Sequence, residues 1–243
     1  MLATALRRFL HAVLPADCRA CGRALDDDPV PFFCRTCWGT ITPITGPCCP
    51  RCGRPFRSIQ ALSHSPRHLC GECRLHRPAF TRAWSCYRFE PPLQDAIHLF
   101  KYHRKVALAS ALGDLMERAC AVLPEVDVII PVPLHASRLR DREFNQSLLL
   151  ADRLGRVLRR PVSWTSLLRV RLTVPQTELR KAGRLKNLRR AFKVAEPAAI
   201  VSKRILLVDD VLTTGTTVNE CARTLRKAGA RQVYVATLAC SVA

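Results

Sequence analysis

Acidic residues, aromatics and methionine are all scarce in this chain. Among 243 residues there are 19 Asp and Glu against 39 Lys and Arg, 6% aromatics and two methionines. The deficit of acid leaves a formal net charge of +20, an excess that attracts polyanions or anionic small molecules, although charge alone names no binding surface. Also missing is any run of about 18 apolar residues, so no membrane-spanning helix is expected. A secretory leader is not expected either, because Arg7 and Arg8 interrupt the first apolar stretch too early and no small-residue cleavage pattern follows. The expectation is a soluble, cytoplasmic protein. A hydrophobic content of 48% excludes disorder as the default and supplies a core for one large domain and a small one.

Leu2, Leu6, Phe9, Leu10 and Val13 recur at helical spacing and predict an amphipathic helix over 1–16 that docks on the protein's own body rather than on a membrane. Cysteine then divides the chain. Of 13 cysteines, nine precede residue 74 and four follow it. The first group reads Cys18-x-x-Cys21, Cys34-x-x-Cys37, Cys49-x-x-Cys52 and Cys70-x-x-Cys73. Each CxxC turn sets two thiolates on one edge of a tetrahedron, about 2.3 Å from a metal, and a second turn supplies the opposite edge. Two closed zinc sites are predicted, stapling a segment with too few bulky apolar residues to fold alone.

Disulfides would need an oxidising compartment, and redox CxxC motifs normally occur singly; iron–sulfur ligation by the same thiolates stays open. Cys48 adjoins Cys49, but only Cys49 has the correct spacing to Cys52. His64, His68 and His76 are expected at the surface, and Cys86, Cys120, Cys221 and Cys240 as small core residues.

From about residue 80 strands and helices alternate. "RAWSCYRFE", "VDVIIPVPLH", a short stretch near Val162 to Trp164, "AFKVA", "RILLVDD" and "QVYVATLAC" read as strands. "PLQDAIHLFKYHRK", "VALASALGDLMERACAVL", "EFNQSLLLADRLGRVLRR" and "TTVNECARTLRKAGA" read as helices. Such alternation predicts an α/β domain with a parallel sheet and ligands at the carboxyl ends of its strands.

At one such end stands "VDDVLTTGTT". Asp209 and Asp210 are expected where strand Ile205 to Val208 stops, and Thr213, Thr214, Gly215, Thr216 and Thr217 form the turn into a helix capped by Thr216 or Thr217. Backbone N–H groups, hydroxyls and a helix dipole make a phosphate cradle, whereas two carboxylates suit sugar hydroxyls or Mg²⁺. A phosphosugar satisfies both. An ordinary capped turn would explain the threonines but not the paired aspartates at the end of a buried strand.

"ILLVDDVLTTGTT" resembles the phosphoribosyl pyrophosphate signature of type I phosphoribosyltransferases. Together with the four CxxC pairs, "KYHRK", "PVPLHASRLRDREFNQS" and "VPQTELRKAGRLKNLRRAF", nearly the whole chain resembles the ComF family of bacterial competence proteins. The resemblance implies a double zinc ribbon at 17–78 and a phosphoribosyltransferase-type domain at 79–243 with a basic hood over about 168–190. It implies that Asp209 and Asp210 bind the ribose hydroxyls and serve as the catalytic pair, and that Thr213 to Thr217 wrap the 5′-phosphate. It further implies that Pro131, Val132, Pro133 and Leu134, with Arg138, Arg140 and Arg142 nearby, approach the pyrophosphate with Mg²⁺. Glu143 and Glu178 stand where the family often has Gly.

Three functions are open on this reading. The first is a role in DNA uptake and natural transformation, holding single-stranded DNA on the basic surface with Trp38, Phe56, Trp84, Tyr87 or Tyr102 as stacking platforms, and working with DNA-uptake or replication-restart proteins. The second is an active phosphoribosyltransferase in nucleotide or nucleoside salvage, although 168–190 has no aromatic-rich run to hold a base. The third is a regulator that senses the phosphosugar and signals through the ribbons.

Overall fold

The computed structural model describes residues 17–56, 65, 68–118, 122–172 and 190–241. The expected helix over 1–16, His64, Cys120 and the hood from 173 to 189, including Glu178, lie outside the described residues.

The first part of the chain is built from two similar knuckles. In "CRACGR" the Cys18 amide donates to the Arg23 carbonyl and the Gly22 amide to the Cys18 carbonyl, both at 2.8 Å. In "CPRCGR" the Cys49 amide donates to Arg54 at 2.8 Å and Gly53 to Cys49 at 2.9 Å. Each knuckle faces a short helix carrying the second CxxC: α1 (Arg35–Gly39) and α2 (Gly71–Leu75).

Beyond them lies a four-stranded, fully parallel sheet of β1 (Arg82–Arg88), β2 (Val128–Pro131), β5 (Arg204–Leu212) and β6 (Gln232–Cys240), in the order β1-β6-β5-β2. Alternation along β5 splits the core into two layers, since Leu206 and Val208 join one buried cluster while Ile205 and Leu207 join the other. The first layer is covered by α3 (Leu93–Tyr102), α4 (Leu108–Arg118) and α6 (Gln146–Leu158), which bury Phe100, Leu112 and Leu154. The second is covered by α7 (Thr216–Lys227), whose Val218, Cys221, Ala222 and Leu225 recur at the spacing of one helix face.

Three local readings are corrected and one helix is added. Near Val162 to Trp164 there is a single parallel bridge from Val162 to Ile129 rather than a full strand. "AFKVA" forms β4 (Phe192–Val194), but pairs antiparallel with β3 (Leu167–Arg169) in a separate two-stranded sheet. "ASRLRDR" forms a helix, α5 (Ala136–Arg142), that polar composition concealed. And β5 does not stop at Val208: it pairs with β6 through Leu212.

The ribbons rest on this body. Pro43 bridges Tyr87 at the edge of β1, and Phe33 and Ile41 join the buried cluster that contains Phe100.

Candidate phosphosugar site and metal centres

The eight cysteines Cys18, Cys21, Cys34, Cys37 and Cys49, Cys52, Cys70, Cys73 assemble as two groups of four, with the sulfurs of each within 4.8 Å of one another. Sulfur separations of 3.9 Å for Cys21–Cys34 and 3.6 Å for Cys52–Cys70 bracket the edge, about 3.8 Å, of a tetrahedron with zinc–sulfur bonds of about 2.3 Å. Backbone amides point at the sulfurs: Cys34 donates to Cys18 Sγ at 3.3 Å, Cys37 to Cys34 Sγ at 3.4 Å and Cys70 to Cys49 Sγ at 3.4 Å. The Cys37 amide holds the Cys34 thiol down at about 6, and the thiol–thiol contact with Cys34 pushes Cys37 up to about 12. The geometry and donor set fit two structural zinc ribbons, since a cation would stabilise all four sulfurs as thiolates. All described cysteines are free thiols, and Cys48 sits outside both groups with its thiol toward the Gly46 carbonyl at 3.6 Å.

A cleft of about 320 Å³ opens at the carboxyl edge of the parallel sheet. Because β2 and β5 are parallel neighbours, with Pro131 opposite Val208, the loops that follow both strands leave on the same side. Asp209, Asp210, Thr213, Gly215, Thr216 and Thr217 line the cleft, as do Val132, Pro133, Leu134, Arg138 and Arg142. Pro131 ends its strand behind the lining, and Arg140 does not reach the cleft. Thr214 turns away, its hydroxyl bonded to that of Thr216 at 2.8 Å, and lines a second cavity on the other side of the loop.

The two aspartates continue the alternation of β5 and so meet different surroundings. Asp210, 5% exposed, is held by Lys101 of α3 at 2.7 Å. Asp209, half-buried at the cleft wall, accepts from the Ser147 hydroxyl at 2.9 Å and from the Asp210 amide at 3.0 Å, both on Oδ1. Burial, and then the neighbouring Asp210 carboxylate, push the Asp209 carboxyl up to about 7 despite the Lys101 ammonium and the Ser147 bond. A cation or sugar hydroxyls at this wall would relieve that cost, and two carboxylates are the hard oxygen donors that Mg²⁺ takes.

The threonine loop enters α7 through Gly215, which is the N-cap at φ 75° with no side-chain cap. This corrects the expectation that Thr216 or Thr217 caps the helix. The left-handed turn is one that glycine adopts without strain, and it brings the start of the helix to the cleft with no N-cap side chain, while the Thr216 amide donates to the Thr214 hydroxyl at 3.4 Å. Arg138, Arg142 and Arg169 line the same cleft. Arg142 lies 5.0 Å over the Tyr102 ring and donates to Gln146 Oε1 at 3.1 Å.

Lys101, Tyr102, His135, Gln146, Ser147, Arg169 and Leu172 complete the lining. Of these, Lys101 and Tyr102 were signalled by "KYHRK". Ser147 was hidden inside a strong helix pattern, although Asn145 before it, whose side chain accepts from the Ser147 amide at 3.0 Å, is a typical helix start that aims the first turn at the cleft. Arg169 falls in the basic segment expected from about 168, but its place in the cleft depends on the parallel bridge to His135.

Glu143 sits at φ 68° as the C-cap of α5, which is the conformational reason for glycine at such a position. Among the proposed stacking residues, Tyr87 is corrected: it is 7% exposed with its hydroxyl on the Leu115 carbonyl. Trp38, Phe56 and Trp84 are half-buried, Tyr102 is 54% exposed, and Trp164, which was not anticipated, is 63% exposed.

Residues 9–74 match the double zinc ribbon domain family, and residues 146–241 match the phosphoribosyl transferase domain family. The chain is 37% identical over 193 residues to the DNA utilization protein YhgH of Shigella flexneri, covering 77% of this chain and 81% of that one. It is 31% identical over 223 residues to Competence protein F of Haemophilus influenzae, covering 86% and 96% respectively. Against Competence protein ComFC of Bacillus subtilis it is 28% identical over 205 residues, covering 81% and 78%. With two thiolate ribbons ahead of a parallel sheet that ends in a threonine-lined cleft, and with these relatives along most of its length, the chain belongs to the ComF family of competence proteins.

Proposed function

We propose that this protein serves DNA uptake and utilisation, binding phosphoribosyl pyrophosphate with Mg²⁺ in the cleft and single-stranded DNA on its basic surface. The observation that carries the reading is the placement of Asp209 and Asp210 beside the threonine loop at one strand edge, in a cleft that Arg138, Arg142 and Arg169 also line. The carboxylates take the ribose hydroxyls, the loop amides and hydroxyls take the 5′-phosphate, and Arg138, Arg142 and Arg169 face the pyrophosphate. Mg²⁺, when bound, neutralises charge on the pyrophosphate. The names of the relatives supply the DNA context, and a formal net charge of +20 supplies the attraction. On this reading the ribbons span 17–78 and the ligand domain 79–243, and the partners include DNA-uptake or replication-restart proteins.

The test is anisotropy of a labelled single-stranded oligonucleotide across a salt series, with calorimetry of phosphoribosyl pyrophosphate and Mg²⁺. DNA affinity is expected to fall steeply with salt, and calorimetry to show saturable binding that Asp209→Asn with Asp210→Asn removes. DNA binding indifferent to salt would sink the nucleic-acid half, and absent heat would sink the ligand half. The arginines on the pyrophosphate side favour a second reading, transfer of phosphoribose to a nitrogen base: the C1–oxygen bond breaks, pyrophosphate leaves with the electron pair and the nitrogen bonds to C1. Pyrophosphate release with a panel of bases is its measurement, and release with none of them would count against it.

A further inference from the structure

The two knuckles repeat the same turn, and each ends in an arginine at the same place. Arg23 of the first folds back on its own ribbon, donating to Asp28 at 3.1 and 3.2 Å. Arg54 of the second leaves its ribbon and donates through Nη2 to the main-chain carbonyl of Thr213, at 3.1 Å, inside the threonine loop.

The second knuckle is seated rigidly enough for that bond to matter. A Cβ at Gly53 would lie 2.5 Å from the Ala83 carbonyl oxygen, so only glycine allows this approach to β1, and the Ala83 amide donates to Arg51 at 2.9 Å. Arg51 in turn donates to the Pro78 carbonyl at 2.9 Å, and the Ala79 amide to Asn219 of α7 at 2.7 Å. Behind the loop the space is not filled. A second cavity of about 320 Å³ lies between Cys52 and Cys73 on the ribbon side and Thr214, Gly215 and Thr216 on the loop side. The threonine loop therefore runs between two clefts, and an arginine crosses from the ribbon to its carbonyl.

We propose that Arg54 is a positioning residue for the threonine loop, so that the second four-cysteine site, and not the first, sets the shape of the ligand cradle. The consequence for ligand affinity rests on the phosphoribosyl pyrophosphate reading above. By linkage, any ligand that prefers the held loop must also favour the intact second ribbon.

The test uses the full zinc-loaded chain carrying Arg54→Met, with Arg54→Lys as the conservative variant and Arg23→Met as the control from the first knuckle. Hydrogen exchange read by mass spectrometry is expected to be several-fold faster across 212–218 in Arg54→Met, with zinc content and melting temperature close to those of the parent. Arg54→Lys restores part of the protection, and Arg23→Met leaves the loop unchanged. Calorimetry with phosphoribosyl pyrophosphate and Mg²⁺ is expected to show a loss of about tenfold in affinity for Arg54→Met, the scale of one charged hydrogen bond. Unchanged exchange across the loop, or an equal effect from Arg23→Met, overturns the proposal. Faster loop exchange in a protein whose parent form binds no phosphoribosyl pyrophosphate supports the positioning role and overturns the ligand reading alone.

Discussion

Asp209 shows how one side chain can oppose stability and serve a site. In the unfolded chain such a carboxyl loses its proton near pH 4, about 3.9 by its ordinary value, whereas in the fold burial holds the proton until about pH 7. A raised carboxyl pKa means that the folded state binds the proton more tightly. Stability therefore falls as pH rises from about 4 to about 7 and stays lower above that. Asp209→Asn is expected to melt with the parent at the acid end of this window and above it at pH ~8, by about 1–2 kcal/mol after allowance for solvent at the cleft wall. Thermal melts across that range check it, and a variant that melts lower than the parent at the alkaline end would show that the charge is already compensated. Binding of Mg²⁺ with phosphoribosyl pyrophosphate should strengthen as pH rises through about 7, because the carboxylate form does the binding. The doublet was legible in the sequence as chemistry. Its division of labour was not, because the Lys101 ion pair to Asp210 and the Ser147 bond to Asp209 come from α3 and α6, far away in the chain.

At the scale of an element, the strand, loop and helix from β5 into α7 are a local unit that sequence patterning nearly specifies. β5 is buried on both faces and α7 repeats its apolar residues at helical spacing, so both are readable from hydrophobic order alone. What patterning misplaced was the cap: Gly215 rather than Thr216 or Thr217 is the N-cap, and the hydroxyl that takes a helix-start amide is that of Thr214. Substituting Gly215→Ala tests that distinction. The nearest atom to an added Cβ is Leu212 Cδ1 at 3.6 Å, an ordinary contact, so the cost is conformational: φ 75° is strained by about 1–2 kcal/mol for an L-residue. The expected outcome is a modest fall in melting temperature and a larger loss of phosphoribosyl pyrophosphate affinity, about tenfold to a hundredfold, as the loop relaxes out of register. Calorimetric affinity against thermal melts separates the two. Equal free-energy losses in stability and binding would make Gly215 a fold residue only.

For the whole molecule the ribbons and the sheet share one interior. Phe33 and Ile41 from the ribbon lie in the same buried cluster as Phe100 and Leu112, and the second ribbon touches the threonine loop through Arg54. Removing the metals with a strong chelator is therefore expected to unfold the ribbons and also to lower the melting temperature of the α/β body, because the apolar face under Phe33 loses its cover. Scanning calorimetry with and without chelator checks this, and a body transition unmoved by metal loss would show the two parts to be energetically independent.

Legible in the sequence were the two four-cysteine sets, the strand and helix alternation and the Asp-Asp and Thr/Gly loop at a strand end. Each is encoded in spacing over a few residues, where CxxC turns, buried runs and a Gly/Thr turn have few conformational solutions. Only packing in three dimensions brings Lys101 to Asp210 and Ser147 to Asp209, sets Arg169 in the lining of the same cleft, seals Tyr87 in the core and carries Arg54 from a ribbon to the threonine loop. Those are contacts between segments distant in the chain, fixed by how two buried layers pack around one sheet, and local pattern carries no information about which distant partner packing will deliver.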